Sequence, residues 1–303
     1  MGRTRRTGSE ARRRKASRDG GGRALLGLLL AGILGCGSCA GPAEVRRPSE
    51  PPVERIVGSD TMEPLVQAWS AAFMKSRRDI SVRAEGGGTR RGIEALIDGR
   101  TDLCAASRTM QANEVKRLLD SRGFLGLSIL TAKDALSVYV HPENPVTGLS
   151  RAELKAIFTG NIANWKKVEG EDRPILIVSR QPNSGTYHFF RQHVLEAERY
   201  GGSVRTESNT ESVVRAVRAD RGAIGYGGIA FGPDLRHLSI EGIAPTQENV
   251  RNGAYPLSRY LYLYAAGPLE GAVQSFVDWI LSDDGQRAAA DAGYIPLWDV
   301  AVP

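Results

Sequence analysis

Short apolar runs and helically spaced apolar residues alternate along this chain, with polar, glycine-rich loops between them. Residues 55–57 predict a short strand, a polar loop follows, and Leu65 and Trp69 then recur at the spacing of one helix face. The same order predicts strands at 80–84 and 102–106, each followed by a helix. Consecutive strand–loop–helix units of this kind predict an α/β fold with an open sheet.

The second half of the chain continues the pattern with longer connections. Further strands are predicted at 135–140, 175–178, 223–228 and 260–264. A last amphipathic helix is predicted as one unbroken element from Val273 to about Ala290. The aromatic side chains Tyr260, Tyr262 and Trp279 fit a buried core better than an exposed ligand platform.

Polar loops with anion-binding chemistry follow the first three strands. These loops contain Ser59-Asp60-Thr61, Gly86-Gly87-Gly88-Thr89 and Ser107-Arg108. Hydroxyls, guanidinium groups and free backbone N–H groups at helix starts donate to anions, and α/β sheets bind ligands at the carboxyl ends of their strands. The alternative is that these residues form ordinary turns and helix caps.

The loop after residues 175–178 has the strongest pattern of this kind. Arg180 supplies a forked cation, and Ser184-Gly185-Thr186 opens a predicted helix whose N-terminal dipole favours negative charge. Alternatively, Ser184 only caps the helix and Arg180 is a solvated turn residue. Four loops with the same chemistry favour an anion site over that alternative.

The net charge of +6 does not indicate a nucleic-acid partner. Residues 1–35 hold nine Lys/Arg and two acidic residues, so the rest of the chain has 31 basic and 32 acidic side chains. The basic character therefore belongs to the leader, and nucleic-acid binding loses its main support.

The leader is typical of an export signal. A basic segment ends at Arg23, an apolar run too short to span a bilayer follows, and Ile33-Leu34-Gly35-Cys36 resembles a bacterial lipobox. We therefore predict a lipoprotein signal peptide over residues 1–36 with lipidation of Cys36, and a flexible tether over 37–52. A plain transmembrane anchor is the alternative.

The sequence carries no convincing catalytic, metal or cofactor motif. The four histidines lack zinc spacing, and no Ser-His-Asp arrangement can be assembled. Cys36 and Cys39 have C-x-x-C spacing but lie at the predicted processing site, and Cys104 lies in an apolar run that predicts burial.

Several segments, in this order, resemble the phosphate-binding component of ABC phosphate importers, the PstS-like family. These are Gly58–Leu65, Glu85–Thr89, Asp102–Arg108, Ile157–Trp165, Arg180 with Ser184–Thr186, and Ala223–Tyr226. The resemblance covers roughly residues 53–300 and implies a type II periplasmic-binding-protein fold, with two α/β lobes joined by crossing hinge strands and the ligand cleft between them. Lobe 1 would comprise 53–138 and 247–303, and lobe 2 would comprise 139–246.

The resemblance implies a non-enzymatic, monomeric receptor, exported to the periplasmic side of a membrane and held there by its lipid. It would capture inorganic phosphate and deliver it to ABC permease subunits, without a cofactor. The implied phosphate ligands are Ser59, Asp60, Thr61, Gly88, Thr89, Ser107, Arg108, Arg180, Ser184, Gly185 and Thr186. One alternative is an anion sensor or surface scaffold without an importer. Another is a phosphate-ester hydrolase with Ser184 or Thr186 as nucleophile, which lacks a metal set and a positioned base.

Two departures from the family pattern affect the expected site. Arg90 and Arg91 stand where many relatives have Ser-Gly-rich sequence, so a guanidinium near the cleft could strengthen or obstruct anion binding. Arg108 stands where some relatives carry an Asp that accepts the phosphate proton. Asp60 is then the expected acceptor, and the alternative is that it only caps the helix beginning near Glu63.

Overall fold

The computed structural model describes residues 53–300, so the predictions for the leader, Cys36 and the tether lie outside the described part. The strands are β1 (Val53–Gly58), β2 (Ser81–Glu85), β3 (Leu103–Ala106), β4 (Leu127–Val140), β5 (Gly148–Leu149), β6 (Leu176–Arg180), β7 (Val204–Glu207), β8 (Ala223–Gly228), β9 (Arg236–His237), β10 (Ser239–Ile240) and β11 (Ser258–Ala265). The α-helices are α1 (Glu63–Ser76), α2 (Thr89–Ile97), α3 (Ala112–Arg122), α4 (Arg151–Phe158), α5 (Gly185–His193), α6 (Thr210–Ala219), α7 (Gln247–Arg251), α8 (Gly271–Ile280) and α9 (Asp283–Asp291).

Nine strands form one mixed sheet in the order β2-β1-β3-β11-β4-β8-β6-β7, with β9 also paired to β4. Strands β1, β2 and β3 are mutually parallel, as are β6, β7 and β8, which matches the strand–loop–helix pattern of the sequence. Strands β4 and β11 run antiparallel to their neighbours and lie between the two parallel groups. The sheet thus has two α/β halves joined by β4 and β11, as the predicted fold class requires.

The long strand β4 changes partners along its length. Its residues through Ala135 pair with β11, and its residues from Leu136 pair with β8. One strand therefore belongs to both halves.

Two large clusters of buried side chains lie on either side of this change. Trp69, Phe73 and Phe276 belong to the first cluster, and Phe158 and Phe190 belong to the second. Burying such aromatic side chains contributes on the order of 1.5–3 kcal/mol each. Helix α7 and the residues after it pack in the second cluster through Val250, Tyr255 and Leu257, beyond the predicted lobe boundary at residue 246.

The last helix of the sequence pattern is broken in the structure. Helix α8 ends at Ile280, and α9 begins at Asp283, with the Ser282 side chain accepting a hydrogen bond from the Gly285 N–H. The prediction of one continuous helix was wrong because Ser282 caps a new helix there. Apolar residues on both sides of the break continue the helical spacing, which is why the pattern did not reveal it.

Two side-chain predictions had different outcomes. Cys104 is fully buried, as the apolar run around it predicted. Tyr260 is 41% exposed, so the prediction that it belongs to the core was wrong. Between residues 53 and 300, none of the helices has the length and apolarity that crossing a membrane requires.

Candidate functional site

Four loops from the carboxyl ends of β1, β2, β3 and β6 meet and place their hydroxyl groups against one another. Ser59 Oγ donates to Ser107 Oγ at 3.0 Å, and Ser107 Oγ lies 3.4 Å from Thr89 Oγ1. Thr61 Oγ1 and Thr186 Oγ1 are 2.9 Å apart. All five side chains are buried. These five residues, together with Asp60, Gly88, Arg180, Ser184 and Gly185, form a group that we call the cradle.

Two glycines allow the loops to approach this closely. A Cβ at Gly185 would lie 2.4 Å from Thr89 Oγ1 and 2.6 Å from Ser107 Oγ, so the first turn of α5 reaches the other loops only without a side chain. Gly88 has φ +96°, and a Cβ there would lie 2.8 Å from the Asn183 carbonyl oxygen. Both glycines were predicted as site residues, and the close approach is the physical reason for them.

Arg180 is the most deeply placed cation of the cradle, with 1% of its side chain exposed. One terminal nitrogen donates to Thr210 Oγ1 at 2.9 Å, and the other donates to Asp60 at 2.7 Å and to the Ser208 carbonyl at 3.0 Å. Its Nε is buried and has no hydrogen-bond partner among residues 53–300. Burial lowers the pKa of Arg180, and Asp60 opposes that effect, so the guanidinium stays cationic. A buried charged donor without a partner is costly unless a ligand takes it.

Strand β6, which carries Arg180, is held in place by hydrogen bonds between hydroxyl groups and by aromatic packing. Ser179 Oγ and Tyr226 Oη are 2.9 Å apart, and Tyr226 Oη lies 2.7 Å from Tyr200 Oη. The Tyr226 ring stacks on Phe190, with centroids 4.0 Å apart. These contacts fix β6, β8 and α5 together, so the guanidinium is held in a rigid frame.

Asp60 does not cap a helix. The N-cap of α1 is Met62, which receives no side-chain capping bond. Instead one Asp60 oxygen accepts from the Gly87 N–H at 2.7 Å, and the other accepts from Arg180 at 2.7 Å. The capping alternative is therefore wrong, and Asp60 links the first two loops to the guanidinium on β6.

The loops also touch through main-chain groups. The Arg90 N–H donates to the Asn183 carbonyl at 3.2 Å, and Asn183 Nδ2 donates to the Gly87 carbonyl at 3.0 Å. Together with the Asp60–Arg180 and Thr61–Thr186 contacts, these bonds join the loops after β1 and β2 to the loop between β6 and α5.

A second buried cation, Arg259 on β11, reaches the cradle and was missed by the sequence analysis. Its Nη1 donates to Thr186 Oγ1 at 3.1 Å and to the Ser107 carbonyl at 3.4 Å. Its Nε and Nη2 donate to one oxygen of Asp134 at 2.9 and 2.7 Å. Arg259 and Asp134 are 125 positions apart, so no local pattern pointed to the pair.

Arg108 forms a buried ion pair with Glu114. Its two terminal nitrogens donate to the two Glu114 oxygens, each at 2.7 Å, and one also donates to the Thr109 carbonyl at 2.8 Å. None of these bonds goes to the cradle. This bidentate pairing occupies both terminal nitrogens and leaves the buried Nε without a hydrogen-bond partner among residues 53–300, so Arg108 as a ligand group stays a prediction.

The neighbouring arginines do not obstruct the cradle. Arg90 donates to Glu94 at 3.0 Å on the exposed surface of α2. Arg91 is exposed and donates to the Gly86 carbonyl at 3.1 Å. Among the described residues, no group of three or more His, Cys, Asp or Glu side chains is arranged to hold a metal ion.

Comparison with known proteins places this geometry in a family. Residues 46–284 match the family model described as a PBP superfamily domain. The chain is 32% identical over 250 residues to the phosphate-binding protein PstS of Bacillus subtilis, covering 82% of this chain and 81% of that protein. It is 28% identical over 264 residues to PstS of Pseudomonas aeruginosa, covering 80% of this chain and 82% of that protein.

Solved structures agree with this assignment. A Clostridium perfringens protein, described as a candidate phosphate ABC transporter substrate-binding protein with bound phosphate, is 29% identical. It has a TM-score of 0.76 and covers 82% of this chain and all of its own. An ABC-type phosphate transport receptor from Vibrio cholerae, 23% identical with a TM-score of 0.67 over 80% of this chain and 99% of its own, shares the fold.

The curated relatives are named as binding proteins rather than enzymes, as predicted. The chain belongs to the PstS-like family of the periplasmic-binding-protein superfamily, a family without enzymatic activity.

Proposed function

We propose that this chain is a solute-binding protein that captures inorganic phosphate in the cradle. The observation that carries the proposal is the buried Arg180 guanidinium, which bonds to Asp60 of the cradle and whose Nε has no partner within residues 53–300. The B. subtilis relative is named a phosphate-binding protein, and the C. perfringens structure contains phosphate, which supports phosphate as the anion.

The proposed ligand set keeps most of the predicted residues and changes one. Arg259 replaces Arg108, because Arg259 donates to Thr186 whereas Arg108 is engaged by Glu114. The set is Ser59, Asp60, Thr61, Gly88, Thr89, Ser107, Arg180, Ser184, Gly185, Thr186 and Arg259.

A tetrahedral oxyanion matches this set of donors. Hydroxyls that now bond to each other would turn to donate to the anion, and the start of α5 contributes backbone N–H groups and the positive end of its dipole. Asp60 can still accept a proton from the anion, because a carboxylate has about four acceptor positions. Phosphate carries such a proton near neutral pH and sulfate does not.

Isothermal titration of the protein with phosphate and with sulfate tests the proposal. We expect saturable binding of one phosphate per chain and much weaker binding of sulfate. Absence of phosphate binding, or equal affinity for both anions, would contradict it.

We further propose a hinged, two-lobe mechanism with β4 and β11 as the crossing strands. The predicted lobes are 53–138 with 247–303 and 139–246. We place the return crossing at about Leu257 instead, so that lobe 2 ends there, because Tyr255 and Leu257 pack with the second cluster. The Asp60–Arg180 bond would then be a closure contact, and a phosphate bound by Thr61 and Thr186 would bridge the two lobes in place of their direct bond.

We also propose that the chain is exported, lipidated at Cys36, held as a monomer on the periplasmic side of a membrane, and delivers phosphate to ABC permease subunits. The basic leader, its short apolar run and the lipobox-like Ile33–Cys36 support export and lipidation. Replacing Cys36 with Ala should release the protein from the membrane fraction without changing its phosphate affinity. Persistent membrane association of that variant would contradict lipidation.

Delivery to an importer is tested separately. Phosphate uptake by cells that depend on this protein should require permease and ATPase subunits encoded with it. Unchanged uptake after their removal would favour an anion sensor or scaffold instead.

A further inference from the structure

A large cavity adjoins the cradle, and the proposed function does not use it. Its volume is about 740 Å³, and it is bounded by the loop after β3, by α5 and by β11. Ser107 of the cradle and Arg259, which donates to Ser107 and Thr186, both line this cavity. The volume falls within the range of small-molecule pockets, about 300–1,000 Å³.

The cavity wall is positively charged. Arg108, Arg191 and Arg259 line it, and the described residues of its lining include no Asp or Glu side chain. Arg108 and Arg259 are paired with carboxylates, but the hydrogen bonds of Arg191 go to the backbone carbonyls of Ala197 and Glu198 at 2.7 and 3.2 Å. The charge of Arg191 therefore remains available to an anion.

Two histidines, His188 and His193, also line the cavity, and both have lowered pKa values. The pKa of His188 is lowered by burial and by the nearby Arg108, and the pKa of His193 is lowered by burial and by Arg151. Both imidazoles then tend to stay neutral, so each can donate or accept a hydrogen bond from a ligand.

Aromatic rings form the rest of the wall. Phe189, Tyr260 and Tyr262 line the cavity, and the Arg259 guanidinium lies 5.5 Å from the centre of the Phe189 ring. Tyr260 is 41% exposed, which is unusual for a large aromatic side chain on a central strand. A flat apolar surface beside uncompensated positive charge suits a ligand that has an aromatic ring and an anionic group.

We propose that this cavity is a second binding site, for an organic anion that carries an aromatic ring. The anionic group would lie against Arg191, and the ring would pack against Tyr260 and Phe189. The site goes beyond phosphate capture, because it takes a different class of ligand.

The cavity ligand is separate from the anion in the cradle. Arg259 Nη1 bonds to both the Ser107 carbonyl and Thr186 Oγ1, so its guanidinium forms a partition between the two spaces. A phosphate ester with its phosphoryl group in the cradle would have to displace that partition. Two ligands that share Arg259 as a common wall require no such rearrangement.

Fluorescence titration with anilinonaphthalene sulfonate, an aromatic anion, tests the site in the presence of saturating phosphate. We expect one saturable site per chain. Arg191→Glu should weaken binding about tenfold or more, by replacing attraction with repulsion. Tyr260→Ala should weaken it about two- to tenfold, the range of an aromatic contact. Thermal unfolding checks that each variant is folded. If Arg191→Glu does not fold, Arg191→Gln replaces it in the titration.

Matched variants identify the site. Arg215→Glu changes an exposed arginine on α6, and Phe124→Ala removes an aromatic ring that is also 41% exposed but lies outside the cavity. Both should leave probe affinity within twofold.

Loss of binding in Phe124→Ala would place the probe on the exposed apolar surface, and loss in Thr186→Val would place it in the cradle. Either result, or undiminished binding in the Arg191 and Tyr260 variants, overturns the proposal. None of these outcomes depends on whether phosphate is the ligand of the cradle.

Discussion

Arg180 on β6 donates to Asp60, in the loop after β1, at 2.7 Å across the cradle, with 1% and 10% of the two side chains exposed. Asp60 also accepts from the Gly87 N–H, so one carboxylate ties three of the four loops together. The pair leaves Arg180 Nε free to donate to a ligand while limiting the net charge of the site.

Replacing Arg180 with Ala should weaken phosphate binding by at least about 1.5–3 kcal/mol, the scale of a charged hydrogen bond in a closed site. The loss includes the cost of leaving Asp60 without its cation. Isothermal titration measures the effect, and Arg215→Ala on the exposed surface of α6 is the control. A dissociation constant within twofold of the parent would make Arg180 a structural residue only.

Replacing Asp60 with Asn should weaken phosphate binding. It should also reduce the difference between the affinities for phosphate and for sulfate. Both Asp60 oxygens accept hydrogen bonds, and an amide can accept at only one of those positions. The Asn side chain can donate to sulfate, whereas the carboxylate repels it. Titration with both anions separates the two effects: equal losses for phosphate and sulfate would show that Asp60 only supports Arg180.

Replacing Thr186 with Val should weaken phosphate binding by about 0.5–1.5 kcal/mol, less than the loss of Arg180, since one neutral hydroxyl is removed. Thr186 now bonds to Thr61 and Arg259 across the cradle. Thr159→Val is the matched control, because its hydroxyl donates to carbonyls of the adjacent helix, α4. An equal effect of the two variants would contradict a ligand role for Thr186.

Replacing Arg259 with Met should destabilise the fold by about 3–5 kcal/mol, because Asp134 would be left fully buried without its cation. Urea denaturation measures the free energy of unfolding. Arg218→Met also removes two hydrogen bonds from an arginine to one aspartate, Asp234, but on the exposed surface, and should change stability little. Similar losses in both variants would argue against burial as the cause.

Replacing Glu114 with Gln should lower the free energy of unfolding at neutral pH by about 1–3 kcal/mol. It should also make that free energy less dependent on pH in the acidic range. Burial raises the pKa of Glu114, but hydrogen bonds from Arg108 and the Gln111 N–H outweigh it and hold the pKa below the ordinary 4.5. The contribution of the ion pair is therefore complete above that value and is lost as pH falls through the lowered pKa. Urea denaturation across this range should show the two proteins converging in acid. A constant difference at all pH values would contradict the prediction.

The sequence alone determined the elements that depend on local chemistry. The sequence repeats one order: a short apolar strand, a loop with hydroxyls or glycine, and a helix. That repeated order predicted the two α/β halves and the loops of the cradle. Ser184 caps α5 as expected, and Cys104 is buried as its apolar neighbours indicated. Each of these features follows from a few adjacent residues.

Only the tertiary structure decided which charged groups meet. Asp134 and Arg259 are separated by 125 positions and Asp60 and Arg180 by 120, and such pairs leave no periodic signal. The family resemblance implied Arg108 as a phosphate ligand, and only the structure showed that Glu114, six positions later, accepts hydrogen bonds from both of its terminal nitrogens. Tyr260 alternates like a core residue but faces the cavity, because β11 lies beside an open space between the loop after β3 and α5. Hydrogen-bond partners and cavities are set by packing of distant segments, which spacing along the chain cannot encode.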